Sequence, residues 1–276
     1  MTTVREAAEA TLRALGERPD DAFDLGEGAL ALAVLGRPRV PLARYRAHLA
    51  ELTADVAARA GDDPDVDRMA AALAEAIAGN HGYTGDAQNY DDLQNANLIR
   101  VIDRRKGLPV ALGILYLHAA QTLGWEAAGL AFPGHFVIAV AAGRARAIID
   151  PFHGGNRCGA AELRLLLQAV AAGETLGPAH YATVGNRAVL LRLHNNVKLR
   201  RMQAGDAAGA LAAIDAMLMF APGEVGLWHE AGLLNAHLGK LRNAVGALDR
   251  AMGLATDGTT RHRLAALLQD LRSRLH

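Results

Sequence analysis

Residues 104–150 read RRKGLPVALGILYLHAAQTLGWEAAGLAFPGHFVIAVAAGRARAIID, and this stretch decides the fold. Proline is well placed in the first turn of a helix, where its missing N–H costs nothing, and glycine commonly follows the last turn. The apolar segment between Pro109 and Gly124 has both signals. A helix that is apolar on all sides belongs in the interior of a domain. We therefore predict a central helix over Pro109–Leu123.

The second half of the stretch predicts a β-hairpin. HFVIAV (135–140) and ARAIID (145–150) are short β-type runs joined by AAGR. With Ala142 and Gly143 as the two turn residues, His135 lies directly opposite Asp150, and facing Cβ atoms in such a pair are about 4.5–5.5 Å apart. One face of the hairpin is then wholly apolar and is expected against the core. The pattern therefore predicts contact between the His135 imidazole and the Asp150 carboxylate.

Composition excludes several classes of function. The 29 basic and 29 acidic residues cancel, which argues against a nucleic acid or an anionic membrane as partner. No apolar run reaches the length of a bilayer span and the first residues do not resemble a signal peptide, so we expect a cytoplasmic protein. The chain has one Cys, Cys158, and one Ser, Ser273. It can form no internal disulfide and no zinc site built mainly from thiolates.

The chain divides into two parts. Helical spacing up to about residue 80, the central helix and the hairpin predict an α+β domain over residues 1–182 with a small antiparallel sheet. In the remainder, Gly205 and Gly239 lie 34 residues apart, and two helix-and-loop units precede a single terminal helix. This period resembles the tetratricopeptide repeat, with small residues such as Gly232 where paired helices pack closely. We predict an all-α repeat domain over residues 183–276.

Three phrases together resemble the transglutaminase-like superfamily, whose domain is papain-like, and in particular its SirB-type branch, which adds tetratricopeptide repeats. They are RRKGLPVALGILYLHAAQTLGW, PGHFVIAV and IIDPFHGG, in this order. The resemblance implies a catalytic Cys at the N-terminus of a buried helix, a His on a strand and an Asp ending the next strand. His135 and Asp150 match two members of this triad. Pro109 stands at the Cys position, two residues after Gly107, so the nucleophile is missing.

The sequence leaves alternatives open for the other reactive residues. His135 and Asp150 are either a vestigial catalytic pair or a structural ion pair. Cys158 is either an inert small hydrophobic residue or a thiolate that folds back towards His135 as a substitute nucleophile. His135, Asp150, His153 and Cys158 also include the ligand types of zinc, although their spacing matches no standard zinc signature.

Candidate binding residues flank both parts of the chain. The resemblance places a polar residue near the site at Asn95, and the basic cluster of Arg104 and Arg105 could hold an anionic group there. Each could instead be a capping or exposed residue. Trp228 and Asn235 are the binding candidates of the repeat domain.

These observations predict a transglutaminase-like protein without acyl-transfer activity that binds a protein or peptide and needs no cofactor. The rival hypothesis is an amide hydrolase or acyl transferase that uses Cys158, His135 and Asp150, or a metal-dependent hydrolase built on the same cluster.

Overall fold

The computed structural model describes residues 3–37, 39–171 and 173–274. Contacts divide the chain into two compact units. One contains the residues up to Thr11 together with Arg18–Leu193, and the other contains Leu12–Glu17 together with the residues from His194 onward. The predicted domain ranges, 1–182 and 183–276, stay predictions, because a grouping of contacts is not a test of independent folding.

Seven α-helices precede the repeats within the described ranges. Their bounds are α1 (Val4–Gly16), α2 (Leu25–Leu35), α3 (Ala43–Ala60), α4 (Val66–Leu73), α5 (Leu98–Arg104), α6 (Pro109–Thr122) and α7 (Ala160–Val170). A π-helical segment, Ala74–Asn80, continues α4. Asp24 starts α2 by accepting a hydrogen bond from the Glu27 N–H at 2.9 Å, which satisfies one free donor of the first turn.

The central helix is confirmed. Helix α6 begins at Pro109 and ends one residue before the predicted Leu123. Its side chains are buried except those of His118, Gln121 and Thr122. Because α6 has almost no polar face, other elements surround it. The elements that carry the candidate site pack against this helix.

The expected small antiparallel sheet is also confirmed. Its strands are β3 (Glu126–Leu130), β4 (Ile138–Ala142), β5 (Ala145–Asp150), β6 (Asn156–Arg157) and β7 (Thr183–Val184), in the order β6-β5-β4-β3-β7. Earlier in the chain, β1 (Thr84–Gly85) and β2 (Lys106–Gly107) form a separate parallel pair. The sequence predicted the β4–β5 hairpin but not the other strands.

The predicted register of the hairpin is wrong by two residues. Ala142 pairs with Ala145 and Ile138 with Ile149, so the turn residues are Gly143 and Arg144. Gly143 has a φ of +61°, which suits glycine as the first central residue of a two-residue turn. A shift of two preserves the faces, because side chains alternate with period two. The side chains predicted to face the core from the strands therefore still do so, and Ile138, Val140, Ala147 and Ile149 are buried.

The opposite face of the sheet is covered as well. Val137 and Ala139 pack in one apolar cluster with Leu163 and Leu167 of α7. The hairpin is therefore covered on both sides near its open end, while its turn is exposed. A polar side chain at its end is consequently shielded from water.

The second unit is all-helical. Helix α8 (Asn186–Gln203) begins in the first unit and is followed by α9 (Ala207–Phe220), α10 (Val225–His237), α11 (Leu241–Leu254) and α12 (Gly258–Ser273). Gly205 and Gly239 each follow the end of a helix, at equivalent places in two helical pairs. The 34-residue period and the single terminal helix agree with the sequence analysis. Within the described ranges, no helix is both long and apolar enough to cross a membrane.

Gly232 tests the close packing of the repeat helices. A Cβ on this residue of α10 would lie 2.6 Å from the buried Leu248 side chain. Overpacking costs about 1–3 kcal/mol, while alanine gains only about 1 kcal/mol of helix propensity over glycine. We expect Gly232→Ala to lower the free energy of unfolding by about 1 kcal/mol, measured by urea denaturation.

The matched control is Gly246→Ala in α11, where an added Cβ has no neighbour within 4 Å. It should raise the free energy of unfolding by up to about 1 kcal/mol. Changes of the same sign in both variants would contradict the packing argument.

Candidate functional site

His135 and Asp150 meet at the open end of the hairpin, as the sequence predicts. Nε2 of His135 lies 2.9 Å from Oδ2 of Asp150. They are not directly opposed, because β4 begins only at Ile138. His135 instead lies diagonally across from Asp150 at the end of the ladder. The histidine side chain is long enough to span this diagonal separation. The contact was predicted correctly from an incorrect register.

Asp150 is a buried carboxylate with four donors. Its side chain is 3% exposed. Oδ2 accepts from His135 and from Nδ1 of His153, the latter at 2.7 Å. Oδ1 accepts from the Phe152 N–H at 2.9 Å and the His153 N–H at 3.4 Å. Burial alone would raise the pKa of Asp150, but hydrogen bonds and charge interactions with the two imidazoles hold it below its ordinary value. The carboxylate is thus ionised at neutral pH.

His153 is the second imidazole partner of Asp150. The sequence analysis named it only as a possible metal ligand. It follows Asp150 by three residues in a turn, and its ring stacks on that of His135 with centroids 5.7 Å apart. Phe152 contacts both rings edge-on, at 6.0 Å from His135 and 5.2 Å from His153. His153 is 56% exposed at the side chain, whereas His135 is 11% exposed. One imidazole is therefore open to solvent and the other is largely covered.

Helix α6 presents one face to this site. Gly113, one turn after Pro109, leaves room for the Phe136 ring, since a Cβ on this glycine would lie 2.4 Å from a ring carbon. Tyr116 lies a further turn along the same face, and its hydroxyl is 2.7 Å from the position that a Cβ on Gly155 would take. Positions 109, 113 and 116 share this face by helical spacing. Pro109, predicted from the family resemblance to stand at the nucleophile position, thus begins the face that packs beside the hairpin.

Cys158 is not part of the imidazole cluster. Among the residues that the structure describes, a group with ligand atoms within 4.8 Å of one another consists of His135, Asp150 and His153, without Cys158. The Cys158 thiol instead lies 3.9 Å from the Asn156 carbonyl oxygen. Burial, followed by the charges of Asp150 and Glu162, raises the pKa of this thiol to about 11. A thiol with this pKa is protonated at neutral pH and is a poor nucleophile.

Asn95 and Arg104 form one buried polar network. Arg104 donates to Oδ1 of Asn95 at 2.9 Å and to Oδ2 of Asp86 at 2.7 Å. Asn95 and Asp86 are both buried, and the Asn89 N–H also donates to Asp86. Burial would raise the pKa of Asp86, but these donors lower it on balance. The guanidinium of Arg104 is therefore engaged inside the protein, with a carboxylate that the sequence analysis did not single out.

Arg105 belongs to a different cluster. It ends α5 in the left-handed conformation, with a φ of +58°. Its guanidinium lies 4.7 Å from the Tyr83 ring centroid and donates to the Tyr83 hydroxyl and to Nε2 of His48. His48 in turn lies 3.0 Å from a Glu51 carboxylate oxygen. The two adjacent arginines thus point to separate networks.

Trp228 and Asn235 make contacts within the repeat unit. The indole N–H of Trp228 donates to the Pro222 carbonyl at 2.8 Å. The Asn235 amide donates to the Ala231 carbonyl at 2.9 Å, one turn earlier in α10. These contacts stabilise the helices that carry them. A binding role for either residue stays a prediction.

A cavity of about 670 Å³ lies elsewhere in the first unit. Its lining includes Asp20, Asp24, His118, Trp125 and Asn186 and none of the residues of the imidazole cluster. Its walls come from segments more than 160 residues apart in the chain. The sequence carries no local signal for such a cavity.

Comparison with known proteins finds two family models that match successive parts of the chain. A family model described as the transglutaminase-like superfamily matches residues 43–195, and a tetratricopeptide repeat model matches residues 197–269. A UPF0162 protein of Xylella fastidiosa is 29% identical over 177 residues, which are 63% of this chain and 63% of that protein. The match thus spans less than two thirds of that relative's length.

Two further relatives differ in coverage. A UPF0162 protein of Pseudomonas aeruginosa is 28% identical over 269 residues, 95% of each chain. Human F-box only protein 21 is 27% identical over 168 residues, 57% of this chain and 26% of that protein. The bacterial relatives and the two family models agree with the SirB-type order of a transglutaminase-like domain followed by repeats. Since the family model covers more than half of its length, the chain belongs to the transglutaminase-like superfamily.

Proposed function

We propose that this chain is a transglutaminase-like protein without acyl-transfer activity that binds a protein or peptide. The proposal is supported by proline at position 109, where the family resemblance puts the nucleophile, together with the contact between His135 and Asp150. Proline has neither a nucleophilic atom nor a backbone N–H. An imidazole and a carboxylate without a nucleophile can bind and orient a ligand, but they cannot form an acyl-enzyme.

The surroundings of Cys158 support this proposal against the thiol-dependent rival. Catalysis requires the nucleophile within hydrogen-bond reach of its base, together with a lowered pKa. The thiol contacts the Asn156 carbonyl, and its pKa is raised to about 11. Both features are typical of an inert, partly buried cysteine.

The repeat unit supports binding of a protein or peptide. Tetratricopeptide repeats present extended helical surfaces to partners. In this unit Leu199 and Met202 of α8 and Leu233 of α10 are large apolar side chains that are 44–49% exposed. Leu199 and Met202 are three residues apart and so share one face of their helix. Exposed apolar side chains of this kind are typical of surfaces that bind proteins, and they do not favour a highly charged partner. A cytoplasmic location remains a prediction from the sequence.

The direct test is an activity assay. We expect the purified chain to show no amide hydrolysis and no acyl transfer to amines above the level of its Cys158→Ala variant. Assays should run with added zinc and with chelator, because the rival hypothesis includes a metal-dependent hydrolase. Activity that disappears in Cys158→Ala, or that depends on metal, would overturn the proposal.

The nucleophile position can be tested by restoring the thiol. In a Pro109→Cys, Cys158→Ala double variant, the new thiol begins α6, where the helix dipole favours thiolate and where the family resemblance predicts the His135 imidazole to be close. We expect the pH midpoint of its alkylation rate to fall below about 8.5, the value of a free thiol. The native Cys158 should instead titrate near pH 11.

His135→Ala in that double variant is the matched control and should raise the midpoint again. A midpoint at or above that of a free thiol would show that Pro109 does not occupy a functional nucleophile position.

Peptide binding can be assigned to a surface. Peptides selected by display against the full chain should lose at least about tenfold in affinity, or 1.4 kcal/mol, in a Leu199→Glu, Leu233→Glu variant. Leu165→Glu is the matched control, because Leu165 is 67% exposed on α7, outside the repeats. Equal weakening by both variants, or no selectable peptide, would count against the repeat surface.

A further inference from the structure

The imidazole cluster has the composition of a metal site. Nε2 of His135, Oδ2 of Asp150 and Nδ1 of His153 lie within 4.8 Å of one another. Two imidazoles and one carboxylate are the protein ligands of many open zinc and iron(II) centres. We propose that His135, Asp150 and His153 bind one divalent transition-metal ion. Metal binding does not rest on the proposed function, since a bound ion can hold a ligand without catalysing a reaction.

The distances suit an ion of this size. Zinc binds nitrogen and oxygen at about 2.0–2.1 Å, so ligands in a tetrahedral site are about 3.3 Å apart. Oδ2 of Asp150 lies 2.9 Å from Nε2 of His135 and 2.7 Å from Nδ1 of His153. An ion can therefore enter after the ligand atoms separate by about half an ångström. The exposed His153 ring can move away from Asp150 freely, and the buried His135 ring needs to move by only about 0.4 Å.

The protonation of the cluster is compatible with an ion. A carboxylate only accepts hydrogen bonds, so each imidazole now directs an N–H at Oδ2 of Asp150. A neutral imidazole can carry its single proton on the other ring nitrogen, which frees these nitrogens for the ion. The ion would then take the place of the two protons as the partner of Oδ2.

The carboxylate is held in position by groups outside the ligand set. Backbone N–H groups of Phe152 and His153 bond to Oδ1 of Asp150, which leaves Oδ2 directed at both rings. Outer contacts of this kind fix ligand orientation in metal sites. The Arg192 guanidinium, a cation close to the cluster, donates to the backbone oxygen of His135 at 2.6 Å.

Tyr116 supplies a second, independent observation. Its hydroxyl is buried and has no hydrogen-bond partner within the described residues. Burial and the charge of Asp150 both raise its pKa, so it stays a neutral donor. A buried hydroxyl without a partner is costly, and an oxygen ligand on the ion could accept from it. On the other side, the exposed His153 leaves room for further ligands from solvent.

The chain contains a rival cluster that serves as an internal control. His48, Glu51 and His81 also bring their ligand atoms within 4.8 Å of one another. There, however, the Arg105 guanidinium donates to Nε2 of His48. That guanidinium bonds to a ring nitrogen of a ligand residue and repels a second cation there, whereas the bond from Arg192 goes to the backbone oxygen of His135. We therefore expect the ion at His153 and not at His81.

The test uses the full chain after treatment with a chelator. Zinc is titrated by calorimetry, and cobalt(II) by its visible absorption. We expect one equivalent to bind, with no thiolate-to-cobalt charge-transfer band, because Cys158 is outside the cluster. His153→Ala should weaken binding by at least about 100-fold, the upper limit for changes outside a ligand set. His81→Ala should leave the affinity unchanged.

Circular dichroism of both variants shows whether the fold is kept. His153→Gln gives a second variant, since it keeps a polar side chain at an exposed position. Binding that persists in both His153 variants, binding lost in His81→Ala, a thiolate band or no saturable binding would overturn the metal site. Saturable binding without hydrolysis would sustain both proposals, whereas zinc-dependent hydrolysis would sustain the metal site and overturn the proposed function.

Discussion

The carboxylate of Asp150 is the constraint on which the site depends. A charge removed from water is costly unless donors surround it, and Asp150 has two imidazoles and two backbone N–H groups. Meeting this requirement brings the end of β5, the loop before β4 and the turn after Asp150 together at one point. The same arrangement serves either a catalytic dyad or a ligand site. Under the proposed function, the choice between them depends on the residue that begins α6, which is Pro109.

Much of this arrangement could be predicted because it depends on local patterns. The apolar segment after Pro109 specified a buried helix, and period-two alternation specified a hairpin with one apolar face. The contact between His135 and Asp150 was predicted although the register was wrong by two residues. A shift of two residues keeps each side chain on the same face of the strand. The exact pairing of residues does change, because the position of Gly143 in the turn determines which residues pair.

Other features depend on contacts between distant segments. The bond between Arg104 and Asp86 joins residues 18 positions apart, and no spacing rule links them. The basic pair of Arg104 and Arg105 reads as one patch in the sequence, yet the left-handed backbone of Arg105 separates their side chains. His153 could have been recognised as a partner of Asp150 from its spacing of three residues in a turn-forming segment. The repeat architecture could be predicted from the 34-residue period because each repeat contacts its neighbours in sequence.

Gly155 and His153 lie in one short loop but differ in how freely their residues can be replaced. The φ of Gly155, +76°, disfavours side chains, and a Cβ there would lie 2.7 Å from the Tyr116 hydroxyl and 3.0 Å from the Ala74 backbone. Two residues earlier, His153 is open to solvent. Exchanging the imidazole would remove one donor from Asp150 but leave the backbone in place, whereas a side chain at Gly155 would displace the backbone itself. The loop can change its chemistry during evolution while its path along α6 stays the same.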